Sequence, residues 1–289
     1  MHIFTRFHDS TYKLAESIQW DSQSNRLFYC DIIGQSIHAL DWNSKRRESW
    51  DFPKPVGSFG LCKDGGLVIA MGDEIVLFRT ENGKQETIAH IESDNNRTRL
   101  NDGKVGPDGS FWVGTMDDTP AREPIAALYR VDASGNVHTI ETDIRVSNGL
   151  AWTKEGTRMF HSDSSAGWVN TYDFDPKTGQ PSNRARFLQL DNTLGRPDGA
   201  TVDAEGNYWS AGVSAGNLNC FSPSGELIQS YAMPVPKPTM PCFAGPDMKT
   251  LVVTSLQPDT ATLQKYPLSG SLFSMKADDY QGVEGFRFG

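Results

Sequence analysis

One spacing constrains this chain more than anything else in it: a polar residue, then a short apolar strand, then a turn residue eight positions on from the first. Asn148 leads in this way to Gly156 through Gly149-Leu150-Ala151-Trp152, and the same offset joins Asn101 to Gly109 and Asp198 to Gly206. Counting back from the turn residues Ser24, Gly65 and Met248 gives Glu16, Gly57 and Met240. Six units therefore repeat at roughly forty to fifty residues, the period of a four-stranded propeller blade rather than of a helical solenoid.

The segments between anchors support that reading. Short runs rich in Val, Ile, Trp, Tyr and Phe are punctuated by 27 glycines and 16 prolines, and helical periodicity is nowhere sustained. The expected fold is all-β: a six-bladed β-propeller of four-stranded antiparallel blades around a central channel, one domain over residues 1–289, with helices nearly absent. In the fourth unit, strands are expected over 149–153, 158–162, 167–174 and 185–190, with the turn Asp175-Pro176-Lys177-Thr178-Gly179 before the last. A ring of blades needs closing, and either Ile3-Phe4-Thr5-Arg6 or the stretch from Val283 to Phe288 could supply the closing strand. The polar stretch from Met116 to Pro124 is long for a hairpin and is a candidate rim or lid.

Charge and cysteine content exclude several functions. A net charge of -9 argues against nucleic acid and anionic membranes, which want clustered Lys and Arg. Lys45-Arg46-Arg47 falls in an expected hairpin and reads as a solvated turn. No apolar run is long enough for a membrane span, and Met1 to His8 carries no apolar signal region, so a cytoplasmic protein is expected, and a monomer because propeller edges are short and protected. Cys30, Cys62, Cys220 and Cys242 form no Cys-x-x-Cys pair and read as reduced thiols. The histidines occupy unrelated repeat positions, giving little support to a histidine metal site or a Ser-His-Asp triad. Gly212-Val213-Ser214-Ala215-Gly216 matches a nucleophile elbow, but that motif needs a strand-to-helix turn, and here two strands are expected to flank it.

The anchors carry the chemistry. In a propeller the first strand of each blade lines the channel, so Glu16, Asn101, Asn148 and Asp198 should converge on the axis. Singly, each is an ordinary turn residue. Together, two carboxylates and two amide oxygens make a hard oxygen site for a divalent cation such as calcium, magnesium or manganese, with zinc also admissible. Arg99 lies two residues before Asn101, on the same face of an extended segment, and can reach the same mouth. Asp102 and Asp163 are expected to bond turn amides.

At these residues the chain resembles the regucalcin, senescence marker protein and gluconolactonase family. The resemblance is carried by Leu14-Ala15-Glu16, Arg99-Leu100-Asn101-Asp102-Gly103-Lys104, Gly114-Thr115-Met116, Ser147-Asn148-Gly149-Leu150-Ala151-Trp152, Asp163-Ser164 and Pro197-Asp198-Gly199, in the family's order. It implies a six-bladed propeller with one axial divalent ion. Glu16, Asn148 and Asp198 are similar to the family's metal ligands, and Arg99 and Asn101 to its substrate-contacting pair. Animal members carry a glutamate shortly after Gly-Thr-Met; here Thr119 stands there, after Asp117 and Asp118, so Asp118 and Thr119 become the substrate-loop candidates. Glu16-Ser17-Ile18 replaces a more common Glu-Gly-Pro. The resemblance implies a metal-dependent hydrolase that opens a sugar lactone, with Asp198 as candidate general base. A phosphotriesterase-like hydrolase and a non-catalytic, metal-binding regulatory propeller are the alternatives.

Overall fold

The computed structural model describes residues 3–289, so Met1 and His2 of the N-terminal stretch lie outside the described residues. Six four-stranded antiparallel sheets form the blades. Their inner strands are Ala15–Asp21, Val56–Leu61, Thr98–Val105, Ser147–Trp152, Pro197–Val202 and Pro238–Ala244, each packed beside the next around the channel. In the fourth blade the outer strands follow at Arg158–Asp163, Trp168–Asp175 and Gln180–Gln189. The last of these begins five residues before the sequence-based expectation of 185, because the Asp175–Gly179 turn closes directly into the ladder.

Burial explains the strand composition. Inner and second strands are buried along most of their length; Leu67–Met71 reads as an unbroken apolar run, whereas inner strands such as Thr98–Val105 carry polar residues to the channel. The outermost strand of the first blade, Arg47–Asp51, alternates half-buried and exposed residues. The core therefore lies between blades rather than at one centre. Between the third and fourth blades, Trp112, Trp152 and Phe174 meet edge to face at centroid distances of 5.4–5.9 Å. Among the described residues the only helix is Thr260–Lys265, capped by the Asp259 side chain on Thr262 N.

Both chain ends serve the ring, in different ways. Thr5–Arg6 pairs with Phe273–Lys276 and completes the sixth blade, so the N-terminal segment supplies the closing strand. The C-terminal segment instead crosses one mouth of the channel. Gln281 accepts from Ala204 N, Gly282 donates to the Met248 carbonyl, Phe288 donates to the Leu61 carbonyl and Gly289 to the Gly109 carbonyl. Arg287 pairs with Asp21, which ties the same tail to the first blade. Beneath it lies a cavity of about 70 Å³ lined largely by apolar side chains, Phe286 and Trp152 among them.

All six inner strands share a feature that the repeat pattern did not disclose. Each has a one-residue irregularity in its pairing at or next to the anchor: between Glu16 and Gln19, Val56 and Ser58, Leu100 and Gly103, Asn148 and Ala151, Pro197 and Ala200, and Pro238 and Pro241. A β-bulge bends its strand and re-aims a side chain. Here it lets the anchor leave the pleat and face the channel. The left-handed backbone it needs falls on Ser17 (φ 51°) in the first blade and on Gly149 (φ 64°) in the fourth.

Candidate metal and substrate site

At the channel mouth opposite the tail, the bulges bring Glu16, Asn101, Asn148 and Asp198 to the wall of one cavity of about 210 Å³. Glu16 and both asparagines are buried, while Asp198 keeps part of its surface open to the cavity. Each side chain is held from behind. Glu16 Oε2 accepts from Ser17 N at 2.9 Å, the amide of the left-handed bulge residue. Asn148 Nδ2 donates to Ser164 Oγ at 2.8 Å, and Ser164 in turn donates to the Pro197 carbonyl at 2.6 Å. That chain spends the amide's nitrogen and leaves its oxygen free for the cavity.

Asn101 is engaged differently. Its Nδ2 donates to the Ser147 carbonyl at 2.9 Å, and its Oδ1 accepts from Arg99 Nη1 at 3.0 Å. Arg99 also pairs with Asp118 through Nε at 3.3 Å, which fastens the rim loop to the inner strand. Asp118 and Thr119 themselves lie outside the cavity wall. Asp118 is exposed, and the Thr119 hydroxyl turns back to Asp117 Oδ2 at 3.0 Å. Asp117 is the loop's staple, accepting from Thr119 N, Glu123 N and Arg97 as well. Burial acts to raise the Asp117 carboxyl, but these donors hold it at about 2.

The electrostatics of the cavity ask for a cation. Glu16 is pushed well above the usual carboxylate range by burial and then by the charges of Asp198 and Asp102. Asp198 is raised to about 8 by burial and by Asp102, with Arg196 opposing. Asp102, expected to bond a turn amide, accepts instead from Leu150 N at 3.1 Å, in the bulge of the neighbouring inner strand, and its Oδ1 is buried without a hydrogen-bond partner. Lys104, the cation that acts on Glu16 and Asp102, reaches away to the Ala200 carbonyl at 2.7 Å. Three carboxylates gathered around one cavity, beside a free amide oxygen, fit a hard divalent ion. Among the described residues no cluster of three His, Cys, Asp or Glu side chains has metal-holding geometry, so the candidate set depends on the Asn148 amide.

Two arginines on the cavity wall, Arg122 and Arg196, escaped the sequence reading. Arg196 could have been found, because it precedes Asp198 by the same two residues that separate Arg99 from Asn101. Arg122 follows from no periodicity; it arrives through the fold of the rim loop. Asp163 bonds four turn amides, as expected, and Gly212 to Gly216 is a hairpin turn in which Ser214 Oγ accepts from Arg196 N at 2.9 Å.

One alignment looks like a catalytic triad. Ser147 Oγ lies 2.8 Å from His161 Nε2, and His161 Nδ1 lies 3.6 Å from Glu141 Oε2. Ser147 and His161 are wholly buried, and Gly114 packs so closely that a Cβ there would sit 1.8 Å from Ser147 Oγ. No substrate reaches that hydroxyl. The row fixes Ser147, whose carbonyl holds the Asn101 amide.

Comparisons with known proteins agree with this architecture. A family model described as the SMP-30/Gluconolactonase/LRE-like region matches residues 14–257. Regucalcin of Xenopus laevis is 33% identical over 285 residues, covering 94% of each chain. The 6-deoxy-6-sulfogluconolactonase of Pseudomonas putida is 32% identical over 268 residues, covering 92% of this chain and 91% of that one. The crystal structure of a calcium-binding protein, regucalcin, from Agrobacterium tumefaciens superposes with a TM-score of 0.92 at 26% identity, over 98% of this chain and 96% of the other.

Proposed function

Since the chain belongs to the SMP-30/gluconolactonase family, we propose that it is a lactonase that opens a sugar lactone to its aldonic acid, with one divalent ion held by Glu16, Asn148 and Asp198. The observation that carries the reading is the convergence of those three side chains, through three separate bulges, on one cavity that also presents Asn101. When bound, the ion would supply Lewis-acid polarisation of the ester carbonyl.

The chain's own residues do the rest. Arg99 and Asn101, locked to each other and to the third and fourth blades, orient the lactone hydroxyls. Asp198, a carboxylate partly open to the cavity, takes the proton of the attacking water as general base. Water adds to the carbonyl carbon, the ring C–O bond breaks, and the products are a carboxylate, a free hydroxyl and one proton. The apolar side chains of Leu14, Ile32, Val146 and Leu256 around the wall limit how much bulk water shares the cavity.

The test is a substrate panel on ion-loaded protein: pentono- and hexonolactones beside phosphotriesters, with spontaneous lactone opening subtracted. Rapid opening of a lactone with no phosphotriester turnover supports the reading. Phosphotriester turnover without lactone opening replaces it with the second hydrolase. Ion binding and stabilisation without turnover of either leaves a regulatory propeller.

A further inference from the structure

The cavity offers more positive charge than a neutral sugar can use. Arg196 is exposed on its wall, and among the described residues its guanidinium has no hydrogen-bond or ion-pair partner, although it acts on Asp198 through space. Its backbone is nonetheless fixed on both sides: Arg196 N donates to Ser214 Oγ, and the Arg196 carbonyl accepts from Val213 N at 3.1 Å. A five-donor side chain rooted on a pinned backbone, with no partner among the described residues, is available to a ligand.

Arg122 shares the cavity from the opposite kind of element, a loop. Its backbone sits in the left-handed region (φ 49°), which a non-glycine residue adopts at a cost. The surroundings impose it: Arg145 Nη1 donates to the Arg122 carbonyl at 2.6 Å, and Arg122 Nη1 reaches the Asp117 carbonyl. The guanidinium is 3.8 Å from Asp118, which is already taken by Arg99 at 3.3 Å, so its charge is only partly spent. In a chain of net charge -9, two arginines turned into one cavity are not spill-over from a basic surface.

We propose that Arg196, assisted by Arg122, seats an anionic group carried by the substrate away from its lactone ring, so that the preferred substrates are acidic sugar lactones bearing a carboxylate, sulfonate or phosphate. This rests on the lactonase reading above. Guanidinium forks bind such oxygens bidentately and reject the neutral analogue by leaving themselves unpaired. With Glu16 and Asp198 balanced by the ion, the carboxylate left on the wall is Asp102, and the cation that acts on it is Lys104 rather than Arg196.

The experiment compares matched lactones on ion-loaded protein: D-glucaro-1,4-lactone, with its terminal carboxylate, against D-glucono-1,4-lactone, with a phosphate-bearing gluconolactone as a second anionic arm. Wild type should favour the acidic lactones, and Arg196→Gln should lower the acidic-to-neutral ratio of kcat/KM about thirtyfold. Arg196→Lys should recover part of it, and Arg122→Gln should lower it less. Calorimetric binding of D-glucarate and D-gluconate to wild type and Arg196→Gln reads the same seat without turnover, so a failure of the lactonase reading and a failure of this one are separable. Equal ratios in wild type and Arg196→Gln, or equal binding of the two acids by wild type, overturn the proposal. An Arg196→Gln variant that loses only ion affinity assigns the residue to Asp198 and overturns it as well.

Discussion

Asn101 Nδ2 donates to the Ser147 carbonyl at 2.9 Å, a bond that joins the inner strands of the third and fourth blades at the level of the cavity. With its Oδ1 occupied by Arg99, the amide has both ends assigned and is no free ion ligand. Asn101→Ala removes both bonds and should therefore lower kcat/KM by about a hundredfold by misplacing Arg99 and the lactone hydroxyls. Ion affinity, read by calorimetry, should change by less than about threefold. A marked loss of ion affinity would put Asn101 among the ligands, as the bare repeat pattern suggests.

Asp117 holds the rim loop through bonds from Thr119, Glu123 and Arg97, and sets the backbone from which Arg122 projects. Asp117→Ala should free the loop. Steady-state kinetics should show KM rising about tenfold with a smaller change in kcat. An unchanged KM would mean that the loop does not order the substrate.

Phe288 is buried where the tail meets the second and third blades. Phe288→Ala should cost about 3 kcal/mol, a drop of roughly 10 °C in Tm. Because the tail closes the mouth opposite the site, KM for the substrate should barely move. A site-specific loss without destabilisation would contradict that separation.

His38 is lowered to about 4 by burial and by Arg47, while its Nε2 lies 3.0 Å from Ser36 Oγ. A folded-state value below the ordinary 6.5 means that the unfolded chain takes up the proton first. Stability from this group is complete above about 6.5 and is lost as pH falls towards 4, by at most roughly 3 kcal/mol. Denaturant midpoints at pH 7 and pH 4.5 should converge in His38→Gln. An identical acid slope in the variant would move the effect to other groups.

How far the sequence reached depends on what each feature rests on. Glu16, Asn101, Asn148 and Asp198 were legible because a fixed offset to a turn survives in the primary structure, and the blade count follows from the same offset. The bulges were not, since an extra residue in one strand shows only against its partner's register, as between Asn148 and Ala151. The closing strand could not be chosen because Thr5–Arg6 is too short to carry a periodicity. Arg122 and the Ser147–His161–Glu141 row depend on loop conformation and on side-chain contacts between strands, which no local pattern records.

The central claim is that Glu16, Asn148 and Asp198 hold a divalent ion on which lactone opening depends. The most direct measurement is proton release from glucono-1,5-lactone by chelator-stripped protein as calcium, manganese or zinc is added back, with Tm followed alongside. Glu16→Gln and Asp198→Asn are run in parallel. The ion should restore the rate and raise Tm by several degrees in wild type, more weakly at lower pH because burial and mutual repulsion make these carboxyls hold protons. Both variants should fold, bind the ion more weakly and stay slow. Full activity in protein shown to be metal-free, or wild-type rates in Asp198→Asn, would contradict the account.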